Sequence, residues 1–475
     1  MGLNFAFDNT YRRSLEGFYA PWQAATVPAP KLMQLNRALA AELGLDADAL
    51  ASDAGAAIFA GNVVPPGADP LAQAYAGHQF GGFVPQLGDG RALLLGEVID
   101  RHGRRRDIQL KGSGRTPFSR GGDGKATLGP VLREYLLGEA MHALGIPTTR
   151  ALAAVTTGEP VYRDKILPGA VLTRVASSHI RVGTFQFFAT RGDTAKVRQL
   201  ADYTIARHYP DVATAANPYL AFLDAVVNAQ AALIARWMLV GFIHGVMNTD
   251  NMAVSGETID YGPCAFMDRY HPQTVFSSID RQGRYAYGNQ PNIARWNLAR
   301  LAETLLPLIH SDEKAAIAAA ASAVNAFTDR YDAYWLDGMR AKLGLLVSTE
   351  PEDLALANDF LAAMEAAKVD YTLGFRLLST GASGDERWQR RLAGAESAMG
   401  ATARAEAMNR VNPLYIARNH QVEAALSAAV DQQNLLPFET LLEVLAHPFT
   451  ERPGLEAYAQ SAPDGSGDYR TFCGT

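Results

Sequence analysis

The chain has 475 residues, of which 48% are hydrophobic, enough for a large core and about three domain-sized units. Its formal net charge of −6 argues against a general binder of the nucleic-acid phosphate backbone, so we expect no nucleic-acid partner. Its two cysteines, Cys264 and Cys473, exclude a disulfide framework and a four-cysteine zinc site.

Targeting and membrane signals are not visible in the sequence. Residues 1–8 lack a basic stretch followed by an apolar core, which predicts no signal peptide. The apolar run 220–243 is interrupted by polar residues, among them Asp224 and Arg236, so we expect no membrane span and no membrane partner. We therefore predict a soluble cytoplasmic protein.

The first part of the chain predicts an extension followed by paired strands. Residues 1 to about 70 are interpreted as an N-terminal extension packed on the body, with one helix at 35–44 closed by its glycine. Glycine-rich sequence then leads into two predicted strands, 92–99 and 107–111, joined by a turn.

The residues beside these two strands suit phosphate binding. Gly88 and Gly90 would let the backbone approach a nucleotide, and Arg91 would add positive charge. Lys111 ends the second strand, as does the kinase lysine that pairs with phosphate oxygens. A solvated surface lysine is the alternative that strand position alone leaves open.

A helix is predicted from 126 to 144, because apolar residues recur there at helical spacing and the run stops at Gly145-Ile-Pro147. Glu134 lies within it and is the candidate for the ion pair that sets the lysine in kinases. A solvated glutamate on an amphipathic helix fits the spacing equally well.

The segment 112–125 connects Lys111 to this helix and contains five glycines together with Arg115, Arg120 and Lys125. It does not match the Walker A pattern, yet its backbone amides and cations could bind polyphosphate. A flexible surface loop is the alternative.

Three more strands are predicted at 150–155, 159–162 and 170–175. Arg174 and Arg181 flank the polar turn that follows, and their planar guanidinium groups suit terminal phosphate oxygens. Two solvated arginines at strand ends are the alternative.

The second half of the chain is predicted to be mainly helical. Residues from about 195 to 243 form helices, 268–290 form a loop, and 292–475 are strongly helical. The last fifteen or so residues are expected to be a mobile tail.

Two polar motifs follow the helices that end near residue 243. The first is His244-Gly-Val-Met-Asn-Thr-Asp-Asn251, the second is Asp260-Tyr-Gly-Pro263, and residues 252–259 between them predict a short hairpin. This is the layout of a protein-kinase catalytic centre, with its first His and last Asn at the kinase separation. However, Val246 stands at the position of the kinase base and cannot accept a proton.

The remaining polar residues of the motifs suit a nucleotide site that is altered at the catalytic step. Asn251 and Asp260 offer the amide and carboxylate oxygens that Mg²⁺ accepts beside phosphates and water. Asp250 is the only carboxylate in the first motif. The alternative is that each motif is an ordinary polar turn.

Taken together, these segments resemble the selenoprotein O family of pseudokinases that act as protein adenylyltransferases. The resemblance covers nearly the whole chain and rests on five blocks in order: Tyr75-Ala-Gly-His-Gln-Phe-Gly-Gly82, Leu87-Gly-Asp-Gly-Arg91, Gln109-Leu-Lys-Gly-Ser-Gly-Arg-Thr-Pro-Phe118, His244-Gly-Val-Met-Asn-Thr-Asp-Asn-Met252 and Asp260-Tyr-Gly-Pro263.

The resemblance implies an α+β, kinase-like fold of two lobes in which ATP is flipped relative to kinases and AMP passes to Ser, Thr or Tyr hydroxyls of protein substrates. It implies four segments: an extension at 1–70, an N-lobe at 71–190, a C-lobe at 191–310, and a helical region with a tail at 311–475.

The resemblance also implies roles for individual residues. Asp250 would be the catalytic base, and Asn251 and Asp260 would bind Mg²⁺ or Mn²⁺. Phosphates would be held by Lys111, Arg174 and Arg181, with Glu134 supporting Lys111. The rest of the nucleotide pocket would be lined by Gly88, Gly90, Arg91, Asp123 and Gly124.

Cys473 occupies the place near the C-terminus where some members of the family carry selenocysteine. Cys264 directly follows the second polar motif, so the two cysteines are a candidate redox pair that ties the tail to the metal-binding segment. Two unrelated thiols are the alternative.

Three other functions remain open at the level of the sequence. The same ligands could support UMP transfer from UTP with Mn²⁺. Transfer of the γ-phosphoryl group is less favoured because of Val246. A non-catalytic nucleotide-binding scaffold is disfavoured because the metal-binding residues are present.

Overall fold

The structure is a computed structural model that describes residues 3–347, 349–381, 386–463 and 469–471. It combines strands with a large helical part, as the sequence predicts. The strands are β1 (Tyr19–Pro21), β2 (Lys31–Leu35), β3 (Leu71–Gln73), β4 (Gly77–Gln79), β5 (Gly82–Val84), β6 (Ala92–Ile99), β7 (Arg105–Lys111), β8 (Ala126–Thr127), β9 (Arg150–Tyr162), β10 (Ile166–Ala176), β11 (Phe242–Ile243) and β12 (Ala265–Phe266).

The helices of the N-terminal half are α1 (Thr10–Ser14), α2 (Arg37–Glu42), α3 (Ala47–Leu50), α4 (Asp53–Phe59), α5 (Leu128–Ala143), α6 (Val182–Ala189), α7 (Thr194–His208) and α8 (Pro218–Leu239). Those of the C-terminal half are α9 (Gln290–Ile309), α10 (Glu313–Leu343), α11 (Asp353–Ala366), α12 (Tyr371–Leu378), α13 (Glu386–Met399), α14 (Ala401–Asn409), α15 (Asn419–Asp431) and α16 (Leu436–Leu445).

The main sheet has the strand order β1-β3-β6-β7-β10-β9-β2, with β8 added on β10. Every neighbouring pair along this path is antiparallel. The predicted strands at 92–99 and 107–111 are β6 and β7, and the three predicted between 150 and 175 are the two long strands β9 and β10.

Both faces of this sheet are covered by helices, which explains why β6 is buried along almost its whole length. Successive side chains of a strand point to opposite faces. Leu94 accordingly joins the core on the α5 side with Leu132, whereas Leu95 joins a second core with Phe59 of α4. The sheet is therefore held between two apolar layers, and Lys111 lies at the C-terminal end of the internal strand β7.

The N-terminal residues are more closely integrated than the sequence predicts. The first 70 residues supply β1 and β2, which pair with β3 and β9 of the main sheet. They also form four helices where one was predicted, the predicted one being α2. These elements are three to seven residues long, too short for a periodic apolar pattern to reveal them.

The helical prediction for residues 195–243 is confirmed as α7 and α8, separated by a tight turn at Pro210–Thr214. Asn217 caps α8 by accepting a hydrogen bond from the amide of Leu220, and Pro218 occupies its first turn. Among the described helices, α8 alone is long and apolar enough to cross a membrane by length and composition, and it packs between α9 and α10.

The predicted hairpin at 252–259 is wrong. Ala253 pairs with Arg181, and Thr258 pairs with Thr148, so each side bonds to a segment of the N-terminal half instead of to the other side. The segment between the polar motifs is thereby tied to the residue that precedes α6 and to the connection between α5 and β9.

The described part of the C-terminal tail is also ordered against the body, contrary to the prediction of a mobile tail. The amide of Thr471 donates to the carbonyl of Phe276 at 2.8 Å, and its carbonyl accepts from the amide of Ser278 at 2.9 Å. The loop 268–290, which was predicted correctly, therefore carries the end of the chain.

The helical part contains a buried lysine with a consequence for stability. Lys342, on α10, is 3% exposed, and its Nζ lies 4.2 Å from the ring centre of Phe375. Burial lowers the pKa of Lys342 to about 7. The folded protein therefore binds fewer protons than the unfolded chain between pH 7 and the usual lysine range, and its stability rises with pH across that window.

We expect the Lys342→Met variant to unfold at a higher temperature than the wild type, because it removes this unfavourable buried charge. The gain in Tm should be largest at pH 6 and smaller at pH 9, measured by differential scanning calorimetry. The same substitution at Lys314, exposed on the same helix, is the control and should leave Tm nearly unchanged at both pH values. A gain at Lys342 that does not change with pH would contradict the assignment.

Candidate active site

One cavity of about 580 Å³ gathers most of the residues that the sequence singled out. It lies between the strands β6, β7 and β10 of the main sheet, the loop 112–125 and the two polar motifs. Its lining includes the predicted nucleotide, catalytic and metal residues Gly88, Gly90, Arg91, Lys111, Asp123, Gly124, Arg174, Arg181, Asp250, Asn251 and Asp260.

The inner wall of this cavity is a cluster of ion pairs centred on Asp260. Lys111 Nζ lies 2.6 Å from Glu134 Oε2 and 2.7 Å from Asp260 Oδ1, and Arg174 contacts the same two carboxylates. Arg181 Nη1 reaches Asp260 Oδ2 at 3.1 Å. The alternatives of a solvated Lys111, Glu134, Arg174 or Arg181 are therefore wrong, since all four side chains are largely buried.

The cations of the cluster dominate its electrostatics. Burial acts to raise the pKa of Asp260, but Arg174, Lys111 and Arg181 outweigh it and hold this pKa well below its usual range. Glu134 is held ionised in the same way, with burial opposed by Arg174 and Lys111. Three cations face two carboxylates in this cluster, so it can accept further negative charge such as phosphate.

Asp250 lies opposite the cluster, in a single tight turn formed by Thr249–Asn251. Its Oδ2 accepts a hydrogen bond from Gln79 Nε2 at 3.2 Å, while its Oδ1 is buried and has no hydrogen-bond partner among the described residues. Burial raises the pKa of Asp250 to about 6, against the opposing effects of Gln79 and Arg181. Val246 lines the same cavity but offers no proton acceptor.

Asn251 and Asp260 supply oxygen atoms of the kind that bind Mg²⁺ or Mn²⁺. Asn251 Nδ2 donates to the carbonyl of Val246 at 3.0 Å, which leaves its side-chain oxygen for another partner. In the described parts of the chain, no group of three or more His, Cys, Asp or Glu side chains could hold a metal by itself. The donor set therefore fits a cation that completes its coordination with phosphate oxygens.

The backbone at Asp260 is unusual for a residue other than glycine, with φ of +65°. A left-handed aspartate is one of the less unfavourable cases, and here its carboxylate is held by three cations. The strained backbone thus directs this carboxylate into the cavity.

The glycines at the mouth of the cavity serve the packing of the loop 112–125. A Cβ on Gly88 would lie 2.4 Å from the ring of Phe118, and one on Gly90 would lie 2.9 Å from the carbonyl oxygen of Phe118. Thr116 Oγ1 also donates to the carbonyl of Asp89 at 2.6 Å. The loop is therefore a packed wall of the site, and the alternative of a flexible surface loop is wrong.

Asp123 and Gly124 form the outer rim of this wall. Asp123 pairs with Arg163 at 2.8 Å and accepts from the amide of Lys125. Gly124 has φ of +68°, and a Cβ there would lie 2.1 Å from the carbonyl oxygen of Gly114.

Tyr75, Gln79 and Asp89 are among the cavity residues that lie inside the quoted motifs but were given no role from the sequence. The ring of Tyr75 lies under the Arg181 guanidinium, 4.5 Å from its carbon. Asp89 is buried, its Oδ2 accepts from the amide of Gln73 at 3.0 Å, and burial raises its pKa to about 6. Their place inside glycine-containing motifs was the available signal in the sequence.

Cys264 does not line the cavity. Cys264 is fully buried, its Sγ donates to the carbonyl of Tyr261 at 3.2 Å, and burial raises its pKa to about 12. Cys473 lies outside the described residues. However, Thr471, two residues earlier, donates from Oγ1 to the carbonyl of Pro263 at 2.7 Å, next to Cys264.

Comparison with known proteins identifies the family. The chain matches the family model described as "Protein adenylyltransferase SelO" over residues 2–446. It belongs to the SelO family of protein nucleotidyltransferases. The family predicted from the five sequence blocks is thereby confirmed.

Full-length bacterial relatives agree with this assignment. The chain is 65% identical to a protein nucleotidyltransferase YdiU of Cereibacter sphaeroides, with 100% of both chains covered. It is 58% identical to proteins of the same name from Rhizobium etli, covering 100% of this chain and 98% of the relative, and from Rhodopseudomonas palustris, covering 100% of both. Membership of an enzyme family favours catalysis over the scaffold alternative.

The packed loop yields a prediction about its glycines. Alanine at Gly124 or at Gly121 would bear the strain of a left-handed backbone, about 1–2 kcal/mol. Only at Gly124 would the new Cβ also collide with backbone, because nothing lies within 4 Å of a Cβ on Gly121. We expect Gly124→Ala to lower Tm at least twice as much as Gly121→Ala in thermal unfolding. Equal losses would mean that the contact with Gly114 does not hold the loop.

Proposed function

We propose that the protein transfers AMP from ATP to Ser, Thr or Tyr hydroxyls of protein substrates, with the nucleotide reversed relative to kinases. The observation that carries this proposal is Asp250, a buried carboxylate with one unpartnered oxygen in the same cavity as the three cations Lys111, Arg174 and Arg181. Family membership supports nucleotidyl transfer in general, and the geometry supports the choice of base.

A kinase-like arrangement of two lobes is part of the proposal. Strands β3, β6, β7, β10 and β9 with α5 would be the smaller lobe, since Lys111 on β7 pairs with Glu134 on α5. The helices from α7 onward would form the larger lobe and the C-terminal region. The proposed boundaries near residues 70, 190 and 310 are unchanged, with β1 and β2 of the extension completing the sheet.

The reversed orientation is supported by a gradient of burial along the cavity. The side chains of Arg174 and Arg181 are 2% and 4% exposed at the inner wall, whereas that of Asp123 at the rim is 39% exposed. The β- and γ-phosphates carry the densest charge of ATP and would occupy the inner wall. The nucleoside would then lie toward the rim near Gly88, Gly90, Arg91, Asp123 and Gly124.

In the proposed reaction, Asp250 accepts the proton of the substrate hydroxyl, and the hydroxyl oxygen attacks the α-phosphorus of ATP. The bond between the α-phosphorus and the bridging oxygen breaks, and pyrophosphate leaves with that electron pair. Lys111, Arg174 and Arg181 would stabilise the charge that develops on pyrophosphate. Mg²⁺ or Mn²⁺, bound by Asn251 and Asp260, would neutralise phosphate charge.

The position of the transferred label tests the proposal. The enzyme is incubated with Mg²⁺ and ATP labelled at either the α- or the γ-phosphate, with casein as a hydroxyl-bearing acceptor. We expect α label, and not γ label, on the enzyme or on casein. Retained γ label would establish a kinase instead. A parallel incubation uses α-labelled UTP and Mn²⁺. Stronger labelling there would mean that the enzyme transfers UMP and not AMP.

The role of Asp250 gives a second prediction. The Asp250→Asn variant should transfer label about 10²–10⁴-fold more slowly, because it lacks the base. Its affinity for ATP, measured by titration calorimetry, should stay within about threefold, since the cations of the inner wall are intact. Asp211→Asn, an exposed carboxylate, is the matched control. Undiminished transfer by Asp250→Asn would refute its role as base.

Cys264 and Cys473 are proposed as a redox pair. The contact of Thr471 with Pro263 supports this pairing, because two extended residues span about 7 Å. In the reducing cytoplasm the thiols would stay free. A disulfide such as oxidised glutathione would oxidise them to a protein disulfide, accepting two electrons and two protons to become two glutathione thiols. The bond would then fix the tail to the segment that carries Asp260.

We expect oxidised glutathione to change the rate of label transfer by the wild type and dithiothreitol to reverse the change. Peptide mapping should detect the Cys264–Cys473 linkage. The Cys473→Ser variant should transfer label, under both conditions, at the rate of the wild-type enzyme treated with dithiothreitol. A redox response that persists in the Cys473→Ser variant would contradict the proposed disulfide between Cys264 and Cys473.

A further inference from the structure

The hairpin of β4 and β5, residues 77–84, packs directly on the turn that carries Asp250. The amide of His78 donates to Thr249 Oγ1 at 2.7 Å, and the amide of Phe80 donates to Asn248 Oδ1 at 3.1 Å. Two residues of the hairpin, His78 and Phe80, are thus anchored to two residues of the loop. The partners are about 170 residues apart in the chain, so the contact joins separate parts of the fold.

Further bonds make this anchor rigid. Gln186 on α6 donates from Nε2 toward His78 Nδ1 at 2.9 Å and accepts from Thr249 Oγ1 at 2.6 Å. The hydroxyl of Tyr285 donates to Asn248 Oδ1 at 2.7 Å and also accepts from the amide of Phe80 at 3.2 Å.

Gln79 lies between these two anchored residues, and its side chain reaches Asp250. Its Nε2 donates to Oδ2 at 3.2 Å, which is the side-chain hydrogen bond of this carboxylate within the described residues. Gly77, at the start of the hairpin, allows the close approach, because a Cβ there would lie 2.4 Å from Asp250 Oδ1.

The terminal torsion of an aspartate is broad, so a carboxylate without partners can rotate. A single donor on Oδ2 fixes the plane of the carboxylate and leaves the lone pairs of Oδ1 in a defined direction. A neutral amide can do this without adding charge, whereas a carboxylate at the same place would repel Asp250.

We propose that Gln79 is a positioning residue that fixes the plane of the Asp250 carboxylate, with Oδ2 held by the Gln79 amide and Oδ1 packed against Gly77. This inference rests on the proposed function, since it assigns Gln79 to the base of that reaction. The hairpin then has a definite purpose: it connects the sheet side of the cavity to the base and holds the base at a fixed angle.

The test compares Gln79→Met and Gln79→Glu with the wild type, using α-labelled ATP, Mg²⁺ and casein. Methionine has a similar length but no donor, and glutamate keeps the shape but replaces the donor by an acceptor. We expect kcat to fall about tenfold or more in both variants, since misorientation of a catalytic group by 1 Å can cost about 100-fold. KM for ATP should change less than twofold, because the phosphate-binding cations are untouched.

Gln86→Met is the matched control, since Gln86 is an exposed glutamine in the same segment. It should keep the wild-type kcat and Tm. A thermal unfolding curve for each variant separates loss of position from loss of fold. If Gln79→Met has a lower Tm than the wild type, the kcat of Gln79→Glu decides, because glutamate preserves the packing volume.

The outcomes separate this inference from the proposed function. If the wild-type enzyme transfers no α label, the proposed function is wrong, and so is the role of Gln79 that rests on it. Transfer by the wild type that is matched by both Gln79 variants would overturn the inference alone. A variant with unchanged kcat and a raised KM for casein would also overturn it, because Gln79 would then contact the acceptor instead of orienting the base.

Discussion

The buried ion cluster around Asp260 is the interaction on which the rest of the site depends. Asp260 pairs with Lys111 of β7 and Arg174 of β10, and both cations also pair with Glu134 of α5, so the cluster ties together two strands and a helix. Removing one member of such a buried group would leave an uncompensated charge, which is strongly destabilising. The same cations, brought together to satisfy Asp260 and Glu134, are the groups that can receive polyphosphate. Stability and binding thus draw on a single set of contacts.

Around this cluster, the cavity is shaped by close backbone approaches. The loop 112–125 packs onto Gly88 and Gly90, and the hairpin 77–84 packs onto Asp250. A kinase covers its nucleotide with a glycine-rich loop between its first two strands. Here the segment between β3 and β6 contains the hairpin and the two packed glycines, and it reaches as far as the catalytic turn. This enlarged segment brings Gln79 against Asp250, which is the base in the proposed reaction, while Val246 occupies the kinase position.

Much of the site could be predicted from the sequence because its residues lie in short, polar, glycine-rich blocks that interrupt long apolar patterns. The strands β6 and β7 and the helix α5 were also predicted, the strands from two short runs joined by a glycine-containing turn and the helix from apolar residues at helical spacing before a glycine stop. The role of Gln79 was not, because its contact with Asp250 spans 171 residues. The hairpin at 252–259 failed for a related reason: the backbone groups of Ala253 and Thr258 find partners outside their own segment.

The orientation of the nucleotide is the central claim, and a structure of the complex with Mn²⁺ and a non-hydrolysable ATP analogue tests it most directly. We expect the γ-phosphate within hydrogen-bond distance of Arg174 and Arg181, with the base of the nucleotide toward Asp123. The anomalous signal of Mn²⁺ should lie beside Asn251 and Asp260. A γ-phosphate that points out of the cavity toward the acceptor, with the base of the nucleotide against the arginines, would contradict the account.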